Sequence, residues 1–238
     1  MRACHYILLS AILLLGMLPA TGRAAALPAG QTPLDLYGAE ALYTVERKGK
    51  TIGHYRLQFD QQPDQLQVHV EMVLQIRVLA LFNYRFEYTA SEQWSADGQL
   101  QQLSVSIDND GKRTQHRIER QNNQLCRVEA AGCDLLGQQL LTSNHWHPHL
   151  PQQQQLLNTL TGQVSQLNVT DLGRETLSFG NDSIVATHYQ LGGDLDDTHS
   201  WYDQNGRWLG MEFSARDGSR IRVRLQPESA YLARKEAP

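Results

Sequence analysis

The stretch RFEYTASEQW, residues 85–94, decides the fold class. Its residues alternate between two sets, with Phe86, Tyr88, Ala90, Glu92 and Trp94 in one set and Arg85, Glu87, Thr89, Ser91 and Gln93 in the other. Because successive side chains of a β-strand point to opposite faces, each set occupies one face. One packed face and one solvated face are typical of a strand in an antiparallel sheet.

The same alternation recurs along the chain, and turns separate its occurrences. RIRVRL, residues 220–225, alternates arginine with Ile, Val and Leu. The segments SADGQL, DNDGKR, DQNGRW and ARDGSR each contain a D-G or N-G pair, which supplies the positive φ of a tight hairpin. Roughly ten to twelve such strands follow one another, without the spacing of parallel βαβ units. The sequence predicts an all-β protein, a large antiparallel meander curled into a barrel-like or half-barrel sheet.

Residues 134–160 interrupt this succession of hairpins. They contain TSNHWHPHL (142–150), Pro151 and a run of four glutamines (152–155). Long irregular segments within compact domains are often functional. We interpret this segment as a long central loop that crosses between two groups of strands.

The first 26 residues have the layout of a secretory signal peptide. Arg2 precedes an apolar run at residues 6–18, and the small residues GRAAA follow it. The run is shorter than the ~20 residues that a membrane-spanning helix needs. Cys4 precedes the run, where it cannot serve as a lipidation site. The sequence therefore predicts export to the periplasm with a cleaved signal peptide and no membrane anchor.

The rest of the chain contains no linker composition that would separate two domains. We predict a flexible mature N-terminus at residues 27–37, a single all-β domain at 38–228 and a C-terminal tail at 229–238. Without Arg2 and Arg23, 19 basic residues face 25 acidic ones, a net charge of −6. Such a mildly acidic chain of mixed charge has no electrostatic footprint for nucleic acid, and it is an equally poor match for an anionic membrane surface.

Two cysteines remain after the signal peptide, Cys126 and Cys133. In an oxidising compartment an isolated pair forms a disulfide by default. Metal ligation and a redox-active pair are the alternatives, although the spacing is wider than that of the redox motif C-x-x-C. We predict a structural disulfide that closes a short loop.

Several segments resemble a known family. TSNHWHPHL, LLNTLTGQ, HYQLGGDL, WYDQNGRWLGMEF and ARDGSRIRVRL are similar to stretches of the DUF6134 family, exported bacterial proteins of unknown function close to the DUF3108 group. The resemblance covers roughly residues 40–226 and implies a curved antiparallel sheet in the periplasm, without implying an activity. The family more usually has Asn at the position of His147 and has no regular histidine at that of His149. Only His145 and Trp146 match its recurrent motif.

The histidines of TSNHWHPHL allow three interpretations. His145, His147 and His149 could bind a metal such as zinc, although no acidic residue with ligand-like spacing lies nearby and Pro148 disrupts the alternation. His145 could act as a general base. We favour a third interpretation, in which His145 and Trp146 anchor the central loop to the sheet while His147 and His149 face solvent. No metal and no cofactor are predicted.

The aromatic residues suggest a binding function. Tyr84, Phe86, Tyr88 and Trp94 share one strand face, and Trp201 and Trp208 flank a hairpin. Such a face is usually core, but in a barrel too wide to fill it lines a ligand cavity.

We therefore predict a non-catalytic exported protein that binds a lipid or another apolar or amphiphilic small molecule, or serves envelope biogenesis. The six aromatic residues, together with His145 and Trp146, are the candidate ligand-binding residues. One alternative is a hydrolase of a lipid or glycan with His145 as general base. Another is a protein-interaction module with a partner in an envelope complex.

Overall fold

A computed structural model describes residues 31–78, 82–215 and 217–227. Within these ranges, one short helix precedes fifteen strands that form a single sheet. The elements are α1 (Pro33–Tyr37), β1 (Glu40–Arg47), β2 (Lys50–Gln61), β3 (Gln65–Val78), β4 (Phe82–Ser95), β5 (Leu100–Asn109), β6 (Lys112–Gln121), β7 (Gln124–Glu129), β8 (Gly132–Gly137), β9 (Leu141–Thr142), β10 (Gln155–Asn158), β11 (Gln163–Phe179), β12 (Asp182–Gly193), β13 (Thr198–Asp203), β14 (Trp208–Ser214) and β15 (Arg220–Leu225).

The sheet consists of two meanders joined by the first and last strands. Its order is β8-β7-β6-β5-β4-β3-β2-β1-β15-β14-β13-β12-β11-β10-β9. Neighbouring strands are antiparallel except β9 and β10, which are parallel. In the described part of the chain no strand pair joins the edges β8 and β9, so the sheet is curled but not closed. The prediction of an all-β, barrel-like antiparallel meander is confirmed.

The two ends of the curled sheet meet through side chains and loop backbone. The His116 ring on β6 lies 3.1 Å from the carbonyl oxygen of Leu160, measured from Nε2. Arg127 on β7 donates from Nη1 to the carbonyl oxygen of Gly162 at 3.4 Å. Both acceptors belong to the turn between β10 and β11. The turn therefore covers the gap that a strand ladder would fill in a closed barrel.

The alternating sequence pattern separates the two faces of the sheet. On β15, Ile221, Val223 and Leu225 are buried, whereas Arg222 and Arg224 are exposed. The buried set points to the concave inner face, where the core lies. Burying each such aliphatic side chain contributes ~1.5–3 kcal/mol, which is why the pattern fixes the orientation of the strand.

Helix α1 corrects the predicted N-terminal boundary. Residues 27–37 were expected to be flexible, yet Pro33–Tyr37 form a helix that begins with a capping box between Thr32 and Asp35. Reciprocal hydrogen bonds of this kind satisfy two amide groups at the start of a helix. Tyr37 is buried in the core. The ordered domain therefore begins before residue 38.

The predicted disulfide between Cys126 and Cys133 is present in the structure. It joins the neighbouring strands β7 and β8, with 5.4 Å between the two Cα atoms. Because β8 is an edge strand, the bond stabilises one margin of the sheet. A disulfide is consistent with an exported protein.

The predicted signal peptide and C-terminal tail lie outside the described residues. The described residues contain no helix with the length and hydropathy of a membrane span.

The predicted crossing loop, residues 134–160, begins later and lies deeper than expected. β8 continues to Gly137, and the segment between β8 and β11, residues 138–162, contains β9, a 3-10 helix (Leu150–Gln152) and β10. We refer to residues 138–162 as the central segment. It lies against the inner face of the curled sheet and contributes fully buried side chains such as Trp146 and Leu150 to the core. The central segment therefore fills the interior as it crosses between the two groups of strands.

Candidate functional site

A buried carboxylate holds the central segment to the inner face. Glu92, on β4, is 1% exposed. It accepts hydrogen bonds from Trp94 Nε1 at 2.8 Å, Thr142 Oγ1 at 2.7 Å, Asn144 Nδ2 at 2.5 Å and Trp146 Nε1 at 2.9 Å. Burial raises the pKa of Glu92, and these four hydrogen bonds oppose the rise. Three of the four donors belong to the central segment, so Glu92 fixes its position.

Tyrosine hydroxyls bind the backbone of the same segment. The carbonyl oxygens of three consecutive residues, 144 to 146, accept hydrogen bonds from Tyr55 at 2.9 Å, Tyr202 at 2.9 Å and Tyr37 at 2.7 Å, respectively. A buried carbonyl without a partner is costly, so irregular backbone needs such donors. The donors come from β2, β13 and α1, so both halves of the sheet hold the segment.

The three candidate histidines do not form one cluster, because the rings of His147 and His149 lie 5.6 Å apart between centroids whereas His145 lies elsewhere. His145 has a φ of 62°, and its ring stacks on Trp208 with 5.3 Å between centroids. The ring of His147 lies on the other side, 5.2 Å from Trp146 and 6.1 Å from Trp94 between centroids. The left-handed conformation of His145 reverses the direction of the chain and separates the two rings.

The prediction that His147 faces solvent is wrong. Its side chain is 5% exposed, because the chain turns at Pro148 and packs the imidazole against two indoles. His149 is half-buried, with Nδ1 3.2 Å from Gln152 Oε1. Burial lowers the pKa of His145 to about 4 and that of His147 to about 3, so both rings are uncharged at neutral pH.

The surroundings of His145 suit packing better than chemistry. Its Nδ1 lies 3.3 Å from Ser200 Oγ, which also accepts a hydrogen bond from Trp208 Nε1 at 3.1 Å. All three residues are buried. Among the described residues, no group of three or more His, Cys, Asp or Glu side chains could hold a metal ion.

The predicted ligand-binding residues separate into three places. Tyr88, Trp94, His145, Trp146 and Trp208 lie together in the filled interior. Tyr84 and Phe86 lie toward the start of β4, where the Tyr84 hydroxyl donates to Asn109 Oδ1 at 2.8 Å. Trp201 lies on the outer face of β13, between the buried residues Ser200 and Tyr202.

The outer face is partly covered by the hairpin of β11 and β12. A bulge between Asp171 and Arg174 interrupts the pairing of these strands. Gly173 in this bulge has a φ of 96°, which favours glycine. Bulges bend a strand, and here the outer part of the hairpin lies over the outer face of β13–β15. We call residues 174–185, the part of the hairpin that does not pair with β13, the distal hairpin. The Trp201 indole donates to Glu175, and Arg224 Nη2 to the Ser178 carbonyl at 3.4 Å.

A cleft of about 200 Å³ lies between the distal hairpin and the sheet. Its apolar wall consists of Leu177, Phe179, Trp201, Leu209 and Met211. Its charged residues are Glu175, Glu212, Arg222 and Arg224. The cleft thus combines an apolar surface with a charged margin.

Glu175 and two histidines form a short chain of contacts beside this cleft. His188 Nδ1 lies 3.2 Å from Glu175 Oε1, and His188 Nε2 lies 2.8 Å from His199 Nδ1. The His188 ring stacks on Trp201 with 4.5 Å between centroids. Burial lowers the pKa of His188, Glu175 opposes this, and His199 adds to it. These contacts fix the Trp201 indole as one wall of the cleft.

Comparison with protein families identifies the chain. The model of the domain of unknown function DUF6134 matches residues 43–226. The chain belongs to the DUF6134 family. The resemblance inferred from the sequence is therefore confirmed. The DUF6134 domain includes the central segment, the Glu92 contacts and the distal hairpin.

A solved structure has a similar fold. It is described as the crystal structure of a beta-barrel-like protein of domain of unknown function DUF1849 from Brucella abortus. The two chains are 11% identical, and the match covers 78% of the DUF6134 chain and 94% of the other, with a TM-score of 0.55. At this identity the likeness shows the fold alone. No curated protein matches the sequence.

Proposed function

We propose that this DUF6134 protein is an exported, non-catalytic binding protein that holds a small amphiphilic molecule in the cleft beneath the distal hairpin. The cleft itself carries the proposal. Its wall combines Leu177 and Phe179 of the hairpin with Trp201, Leu209 and Met211 of the sheet. Binding sites for small molecules are typically concave and mostly apolar, with a few polar groups that orient the ligand.

The interior is a poorer candidate for this ligand. The space that a barrel-like carrier would offer is occupied by the central segment, whose polar groups are paired with Glu92 and with inner-face tyrosines. A ligand there would have to displace Trp146 and leave the Glu92 carboxylate buried with fewer hydrogen bonds. Leaving a buried charged group unpaired is costly.

The remaining parts of the proposal have separate support. Export is supported by the signal-peptide layout of residues 1–26 and by the Cys126–Cys133 disulfide. A non-catalytic role is supported by the surroundings of His145, which is buried against Trp208.

Titration with 1-octanol tests the cleft, with the indole ¹⁵N–¹H NMR signals as readout. We expect the Trp201 signal to shift, whereas the buried Trp94, Trp146 and Trp208 serve as internal controls. Leu177→Arg should abolish the shift. Val185→Arg is the matched control, because Val185 belongs to the same hairpin but is 54% exposed and pairs with Thr176 on the opposite face. If the wild-type protein gives no Trp201 shift, or if both variants behave alike, the proposed function is wrong.

A further inference from the structure

We infer that the ligand of this cleft is an anionic amphiphile, a short alkyl chain that ends in a carboxylate or a similar acid, and that Arg224 binds its acidic group. The inference rests on the proposed function and specifies its ligand. It follows from the way in which the four charged residues of the cleft are paired.

The two acidic residues of the cleft already have partners. Glu212 accepts hydrogen bonds from Arg220 Nε at 2.8 Å through one oxygen and from Arg222 Nε through the other. Burial raises the pKa of Glu212, but the two arginines outweigh it, and the pKa lies below its ordinary value. Glu175 is in contact with the Trp201 indole and with His188. A cationic ligand would have to compete for both carboxylates.

Arg224 differs from these residues. Arg222 is paired with Glu212, whereas within the described ranges Arg224 forms no ion pair and makes one long hydrogen bond, 3.4 Å, to the Ser178 carbonyl. Its guanidinium therefore retains donors at the edge of an apolar cleft. A guanidinium presents a planar fork of N–H donors that matches a carboxylate or a related oxyanion.

The position of Arg224 also fits an amphiphile. Its cross-strand neighbours on the outer face are Thr44 of β1 and Gly210 of β14, and Gly210 has no side chain to occupy the space on the cleft side. The Arg224 contact with Ser178 places the guanidinium where the distal hairpin meets the sheet. An acidic group bound there would leave its alkyl chain next to Leu177 and Phe179.

Three probes with the same eight-carbon chain distinguish binding of the alkyl chain from recognition of the charge: octanoate, 1-octanol and octyltrimethylammonium. Each is titrated into the wild-type protein, Arg224→Gln and Arg113→Gln. Arg113, on β6, is the control for loss of one exposed arginine, with a side chain 84% exposed. We expect octanoate to bind about fivefold more tightly than 1-octanol, as one exposed charge pair permits. Arg224→Gln should remove this difference and leave 1-octanol binding unchanged, and Arg113→Gln should change neither.

The outcomes distinguish the two proposals. If 1-octanol binds as tightly as octanoate, or if Arg224→Gln leaves octanoate binding unchanged, the anionic ligand is wrong while binding in the cleft stands. Tighter binding of octyltrimethylammonium would also overturn the inference, in favour of recognition by Glu175. If none of the three probes shifts the Trp201 signal, the cleft is not a binding site and both proposals fail.

Discussion

Two tryptophan–glutamate contacts lie on opposite faces of the same sheet, and they differ in how completely each is enclosed. Inside, Glu92 accepts four hydrogen bonds, two of them from the indoles of Trp94 and Trp146. Outside, the Trp201 indole donates to Glu175, whose side chain is 45% exposed. The enclosed pair has no free surface and can only hold the fold. The outer pair forms the wall of a cleft, so it can change its contacts without loss of the core.

The largest difference between the two faces should appear on truncation of the indoles. Trp146→Ala removes a fully packed ring and one hydrogen bond of Glu92, and it should lower the free energy of unfolding by ~3–5 kcal/mol. Trp201→Ala, on the half-buried outer side, should cost less than ~2 kcal/mol. Urea denaturation of both variants measures the difference. Equal losses would show that the outer pair is as much a part of the core as the inner one.

Acid should destabilise the protein because it protonates His145, which is buried on the inner face of the sheet. The folded-state pKa of His145, about 4, lies below its ordinary value, so the unfolded chain takes up the proton first. Stability from this group is complete above pH 6.5 and is lost as the pH falls toward 4, by about 3 kcal/mol.

Denaturant unfolding of the wild-type protein and of His145→Gln at pH 7 and pH 4 tests this expectation. The variant should lose about 3 kcal/mol less than the wild type over this interval. An identical pH dependence in the two proteins would mean that the imidazole is reached by solvent.

The smallest difference concerns single polar contacts. Tyr55→Phe removes one of the two donors to the buried carbonyl of Asn144, the other being the Trp146 N–H at 2.8 Å, and should cost ~0.5–1.5 kcal/mol. Glu175→Gln, an exposed change, should cost less than ~1 kcal/mol while it shifts the Trp201 indole signal. Thermal unfolding together with NMR compares the two variants. A larger loss of stability for Glu175→Gln than for Tyr55→Phe would show that the outer contact contributes more to the fold than the inner one.

The inner face shows what a strand pattern can predict. The alternation in residues 85–94 predicted the orientation of β4, and Glu92 appears in the inward set between Ala90 and Trp94. A carboxylate on the otherwise apolar face of a strand indicates a buried polar contact. Three of its four partners could not be predicted, because they belong to a segment some 50 residues away that meets Glu92 only in the folded structure.

Strand patterns could predict neither the burial of His147 nor the presence of the cleft, for different reasons. His147 was expected in solvent because the family pattern has Asn there, but the left-handed backbone of His145 and the turn at Pro148 direct its ring into the core. The bend of the distal hairpin depends on the bulge at Gly173. A single glycine within a strand can indicate a bulge, but it does not predict which surface the bent hairpin will contact. Trp201 was named as a candidate ligand-binding residue from the sequence, whereas its outward direction became evident only from the strand pairing.

The pairing of β1 with β15 constrains the order in which the molecule can fold. Tyr43 lies opposite Leu225, so the contact that joins the two meanders closes nearly the whole length of the chain. Contacts of such large sequence separation are slow to form, because loop-closure entropy is lost before they contribute stability. The hydroxyl donors to the central segment come from both meanders, from Tyr55 on one and Tyr202 on the other. The segment can therefore complete its docking only after Tyr202 of β13 is in place, and the sheet is complete only after β15 has paired with β1.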